Sequence, residues 1–209
     1  MNVDWHEFLY PNSFFIGIDQ SRDTRKAWAM KHFLIALHCI CTLEIQAAEN
    51  GGTWKLARTL AAPEAHQAAA ADQDFVYAIT SRGVAKYDRK SGKRVATSEG
   101  AAKHLNSGFF WKGKLLCAHS NYPFKPERSE IKVLDTDSMK LTTFKNFGSA
   151  GGSLTWVMHK DGFWWCNFAL YGADNHKTFL AKYDEKWKEV ARWTYPAKVI
   201  SQLGRHSLS

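Results

Sequence analysis

The chain has 209 residues, 45% hydrophobic and 23% charged, with a formal net charge of +8. That composition is close to the globular average, which excludes a disordered tail, a collagen-like rod and a disulfide scaffold, and the length points to one domain or slightly more. Nine Trp, thirteen Phe and seven Tyr favour sheet over helix.

Residues 30–48 read as a secretory signal peptide: Met-Lys-His, a mainly apolar run over 33–45 and small residues ahead of Glu49. The run is short for a membrane span, and His38 and Glu44 weaken it as an anchor. No stable span is therefore expected after cleavage, and the expected location is secreted or periplasmic. Residues 1–29, mixed and charged without a clear period, read as an upstream extension with Met30 as the biological start. The rival reading makes 30–45 a buried helix of a cytoplasmic protein. Cys39 and Cys41 lie in the apolar run, leaving Cys117 and Cys166, which form no C-x-x-C pair and are expected to be buried free thiols.

From residue 50 onward the chain repeats. Asp88 and Asp135 are 47 residues apart, while Asp135 and Asp184, Cys117 and Cys166, and Gly113 and Gly162 are each 49 apart. Independent markers on one pitch indicate a structural repeat. Each unit reads as four strands. In the third these are 154–159, 163–170, 178–184 and 187–195, with a Lys-Asp-Gly hairpin between the first two and a longer loop over 171–177. Each Asp ends an apolar strand, where its carboxylate is expected to accept N–H groups of the following turn.

Four-stranded units at this pitch predict an all-β fold, a partial β-propeller. The expected blades are about 65–100, 104–148 and 152–196, within an incomplete propeller over 49–209. A lone N-terminal strand is expected in 51–62, and the start of a fourth blade in 200–209. Three blades do not close a ring, so the expectation is a C-terminally truncated chain with both outer blade faces open. A three-unit stack closed by dimerisation is the competing view.

The stretch 84–97, VAKYDRKSGKRVAT, resembles the bacterial YVTN-type propeller repeat, in which a strand ends in Asp, a Ser/Thr-Gly-Lys turn follows and a Val-rich strand returns. Residues 131–141 and 181–191 are looser copies. The chain is also similar to secreted propellers described as cycloisomerase-like. The resemblance implies the fold, and it leaves function open because such propellers bind, scaffold, oxidise or cyclise.

In this topology the loops between the second and third strands, and those leading into each first strand, emerge at one end, the usual ligand face. The candidates there are His66, Gln67, His104, Asn106, Asn121, Arg128, Ser153, His176 and His206. His66, His104 and His206 occupy near-equivalent positions, where imidazoles could hold a divalent metal or do acid–base work; capping a turn is the plainer role. No catalytic residue and no cofactor is assigned. Asp72-Gln73-Asp74 lacks the further oxygen ligands of a calcium loop. Trp156, Trp164, Trp165, Trp187 and Trp193 read as packing between blades, with sugar stacking as their alternative. His119 and His159 read as structural.

Two function classes stay open. The first is a non-catalytic propeller binding a small molecule, a cell-surface polymer or a protein on this face. The second is a cyclase, lactonase or cycloisomerase with a His-lined channel. A quinone-dependent oxidoreductase is weaker still, because the repeated tryptophan-docking motif is missing. Scattered Lys and Arg, with no basic helix, zinc finger or RNA-binding sheet signature, argue against a nucleic-acid partner. They read as a solvated surface or as contacts to an anionic ligand.

Overall fold

The computed structural model describes residues 56–203. The expected extension and signal peptide, the beginning of the lone N-terminal strand, and His206 lie outside the described residues.

Three four-stranded antiparallel sheets follow one another along the chain. The first holds β1 (Ala68–Ala71), β2 (Phe75–Ile79), β3 (Val84–Asp88) and β4 (Arg94–Thr97). The second holds β5 (His104–Trp111), β6 (Lys114–Ser120), β7 (Ser129–Asp135) and β8 (Lys140–Gly148). The third holds β9 (Ser153–Lys160), β10 (Phe163–Ala169), β11 (Phe179–Tyr183) and β12 (Glu189–Thr194). In each, strands pair in sequence order, with no pairing between the principal strands of different sheets. One isolated bridge, Glu99 to Lys140, ties the first connection to the second sheet.

The turns explain the strand boundaries. Lys112 and Gly113 (φ 49° and 75°), like Asp161 and Gly162 (φ 53° and 75°), put two consecutive residues at positive φ. Such turns match the twist of a two-residue hairpin. At the third-to-fourth strand turn, Asp88 Oδ1 accepts Ser91 N at 2.6 Å and Ser91 Oγ at 2.7 Å. Asp135 repeats this with Ser138 N at 3.0 Å and Oγ at 2.9 Å. Asp184 accepts the N–H groups of Lys186 and Lys188 at 2.9 and 2.8 Å. Asp72 spends its carboxylate in the same way, on Asp74 N, Phe75 N and the Tyr77 hydroxyl; it caps a hairpin.

Packing follows from period-2 alternation in strands buried on both faces. In β6, Leu115 and Cys117 enter a core with Tyr77, Ile79 and Val84 of the first sheet. Leu116 and Ala118 enter a second core with Trp164, Cys166, Phe168, Phe179 and Ala181 of the third. The first core is largely aliphatic, the second aromatic: Trp164 lies 5.0 Å from Trp111 and stacks on Trp187 at 4.8 Å between ring centroids. Cys117 and Cys166 are buried free thiols in the two cores.

The outer faces differ from the expectation that both are open. On the first sheet Val76, Ala78, Ala85 and Tyr87 are buried, at 9%, 0%, 1% and 4% exposure. There Tyr87 donates its hydroxyl to Glu64, which also pairs with Arg94. On the third sheet Trp193 is 46% exposed and stacks with Trp165, while Lys182 Nζ sits 3.6 Å from the Phe163 ring centroid. Thus Trp164 and Trp187 pack between sheets, whereas Trp165 and Trp193 lie on the outer face. Leu56–Ala62 carry no strand in the described part of the expected lone strand. Ile200–Leu203, expected to begin a fourth blade, instead belong to helix α1 (Ala197–Leu203). No helix among the described residues is long and apolar enough to cross a membrane.

Candidate functional site

Each sheet presents its third-to-fourth strand turn at one end and its second-to-third strand loop at the other. The turn end is tight. The loop end diverges: residues 80–83 suffice in the first sheet, whereas 121–128 and 170–178 are long in the other two. In the first, Thr80 Oγ1 accepts Arg82 N and Gly83 N and the loop closes on itself.

The two long loops face one another across a cleft of about 170 Å³ lined by Tyr122, Pro123, Phe124, Lys125, Glu127, Leu170, Tyr171 and Asp174. Tyr122 and Phe124 are 40% and 60% exposed although no core holds them. Their loop is fixed at its base, where Asn121 Oδ1 accepts Arg128 N at 2.7 Å and Asn121 Nδ2 donates to the Pro126 carbonyl at 3.0 Å. The Tyr122–Pro123 and Lys125–Pro126 peptide bonds are cis. Opposite, Gly172–Lys177 form a short 3-10 helix closed by Thr178, whose hydroxyl accepts Leu170 N at 3.0 Å.

Three rings run in series across the cleft. His104 lies 5.3 Å from Tyr122, and Tyr122 lies 4.8 Å from Tyr171, at interplanar angles of 49° and 51°. Lys103 Nζ stands 5.3 Å from the Phe124 centroid. Partial burial lowers the His104 pKa, favouring neutral imidazole. Burial likewise raises the Tyr171 pKa. The local carboxylates have partners: Glu127 pairs with Lys125, and Asp174 with Lys177 at 2.7 Å. Lys177 holds the Asp174 pKa below its ordinary value.

His119 supports this end from beneath. Its Nε2 accepts the backbone N–H of Lys103 at 3.0 Å, which places the proton on Nδ1, 3.3 Å from Glu130 Oε2. That Nδ1 makes no aligned hydrogen bond, so the Glu130 contact is electrostatic. Burial first, and then Lys132, bring the His119 pKa down to about 4. Glu130 is itself paired with Lys132 at 2.8 Å.

The sequence candidates divide on this geometry. His104, Asn121, Arg128 and His176 lie on the elements that frame the cleft. Asn121 acts as a loop brace, and His176 Nδ1 bonds the Ala173 carbonyl at 2.9 Å. Asn106 ties adjacent sheets through Leu154 O at 2.8 Å, and Ser153 is 1% exposed. His66 and Gln67 belong to the approach to β1, where Gln67 Nε2 donates to Ser81 Oγ at 3.0 Å. Among the described residues no three His, Cys, Asp or Glu side chains gather as a metal site. Sequence reasoning passed over Tyr122, Phe124 and Tyr171; aromatic residues inside loops, outside any alternating strand, were the available signal.

A larger hollow, about 570 Å³, opens at the turn end over Trp111, Leu116, Val133 and Phe144. Its rim carboxylate Asp135 is engaged by Lys114 at 2.7 Å and by the hairpin turn. It lies along the face of the second sheet that packs on the third, with its rim carboxylate already engaged, so the smaller cleft is the better candidate.

The sequence matches no family model and no curated protein. Solved structures resemble the fold at low identity. Kuenenia stuttgartiensis hydrazine synthase aligns with a TM-score of 0.50 and 15% identity over 68% of this chain and 41% of that one. The computationally designed Ika4 protein gives 0.43 and 10%, over 66% of this chain and 96% of that one. Quinohemoprotein alcohol dehydrogenase from Comamonas testosteroni gives 0.38 and 17%, over 61% and 21%. The chain therefore spans less than half the length of either natural protein. The similarity to hydrazine synthase, a β-propeller-type fold, agrees with the three successive sheets. This chain has a partial β-propeller architecture.

Proposed function

We propose that this chain is a secreted or periplasmic propeller domain that binds a ligand on its loop end, in the cleft between the second and third sheets, without covalent chemistry. The observation that carries the reading is the exposure of Tyr122 and Phe124 beside the His104–Tyr122–Tyr171 series. Exposed rings on braced loops contribute nothing to a core and present a ready contact surface. The signal-like segment 30–48 supports the location, and the YVTN-like stretch 84–97 supports an extracytoplasmic propeller.

Binding is preferred to turnover because the cleft carboxylates, Glu127 and Asp174, are both ion-paired. Both described thiols are buried, and His119 uses Nε2 to hold the backbone. The test is a parallel screen of wild type and a Tyr122→Ala/Phe124→Ala double variant against one immobilised panel of saccharides, peptides and organic acids. Ligands captured by wild type should be lost from the variant while its circular dichroism is unchanged. Full retention of the captured ligands would place binding elsewhere.

A further inference from the structure

The charge around the cleft narrows the ligand. Both acids of the lining loops are paired, Glu127 with Lys125 and Asp174 with Lys177. Lys103, over the Phe124 ring, has no carboxylate partner among the described residues. The uncompensated charge beside the rings is therefore positive. A cationic ligand would meet Lys103 already seated against the Phe124 face, so an anion is the complementary choice.

Ring geometry selects the body that carries the anion. Successive rings are inclined at 49° and 51°, so they form a trough. At 5.3 and 4.8 Å between centroids the rings already touch, which leaves no slot between them for a planar base. A puckered sugar instead offers C–H bonds to ring faces and hydroxyls to the neutral His104 imidazole and the tyrosine hydroxyls. The volume, about 170 Å³, is below the roughly 300–1,000 Å³ of drug-sized sites. It suits one ring, with the rest of the ligand running outside.

From these features we infer that the cleft takes one residue of a uronate-bearing saccharide, its ring against Tyr122 and Phe124 and its carboxylate toward Lys103. This deepens the binding reading above and depends on the same cleft. The test titrates the full chain with galacturonate, mannuronate and hyaluronan oligosaccharides, with methyl-esterified galacturonate and with a thymidine oligonucleotide, at low and high salt.

At least one uronate should bind, about tenfold more weakly as its methyl ester or with Lys103→Gln, the loss expected for about 1.4 kcal/mol. High salt should weaken it, and Tyr122→Ala/Phe124→Ala should abolish it. Failure of all three uronates, equal affinity for acid and ester, or preference for the oligonucleotide overturns the uronate assignment while leaving the panel screen to judge the cleft. Uronate binding that survives the double variant overturns the cleft as well.

Discussion

The two ends of the sheets are built on opposite rules. At the turn end the same device appears three times, with Asp88, Asp135 and Asp184 each accepting N–H groups of their own hairpin. At the loop end the first sheet closes within 80–83, while the other two extend loops that meet over Tyr122 and Tyr171. Repetition at one end preserves the sheets, and divergence at the other leaves side chains free for contact. The candidate site lies where the loops outgrow the tight closure of the first sheet, with Tyr122 and Tyr171 at equivalent positions of the second and third units.

Substitutions should separate the two ends. The largest loss is expected from acid acting on His119. Its folded pKa of about 4 lies below the ordinary 6.5 because burial favours the neutral ring. Its contribution is therefore present above pH 6.5 and is lost as pH falls from 6.5 through about 4. The difference corresponds to about 3 kcal/mol. Urea unfolding across that range should show the decline, and His119→Gln should flatten it; a wild-type profile with no decline would refute the assignment.

Gly100→Ala should rank close behind. Gly100 has φ 119°, and a Cβ there would run into the Leu141 carbonyl beside the Glu99–Lys140 bridge. About 2 kcal/mol is expected from such a backbone conflict, measured by the denaturant midpoint. An unchanged midpoint would show that the connection yields easily.

Asp135→Ala should cost less, a melting temperature lower by a few degrees, with saccharide binding intact. Tyr122→Ala/Phe124→Ala should do the reverse, leaving melting almost unmoved and removing binding. If both variants altered melting and binding alike, the division between the ends would fail. The smallest effect belongs to the thiols. Burial pushes the Cys117 pKa up to about 12, so iodoacetamide at pH 8 should leave both described thiols of the native protein unmodified and react only after unfolding.

The legible part of the sequence was the part governed by local rules. The Asp, Cys and Gly spacings located three sheets because hairpin chemistry recurs with the repeat. The unbroken apolar run Leu115–Ala118 is a strand buried on both faces, between the two cores. Ile200–Leu203 reads as the start of a strand because Ile-Ser-Gln-Leu is too short to show a helical period, and the helix begins upstream at Ala197. Tyr122 and Tyr171 are 49 residues apart in sequence, yet their contact depends on the angle between neighbouring sheets, which no spacing encodes. His119 reads as structural from its place in a strand, but its hold on the Lys103 backbone belongs to the folded chain alone.

The outer face of the third sheet has a further consequence. Shifted by the 49-residue pitch, Leu116, Ala118 and Val133 of the second sheet become Trp165, Asn167 and Lys182. The former accept an aromatic neighbour; of the latter, Asn167 is buried and holds Thr155 and the Tyr195 hydroxyl, while Lys182 sets an ammonium over the Phe163 ring. Its natural counterpart at the opposite extreme, around Ala78 and Ala85, is already shielded. These two described faces therefore do not match, one closed over small side chains and the other carrying an exposed indole and an ammonium, which opposes head-to-tail stacking through them.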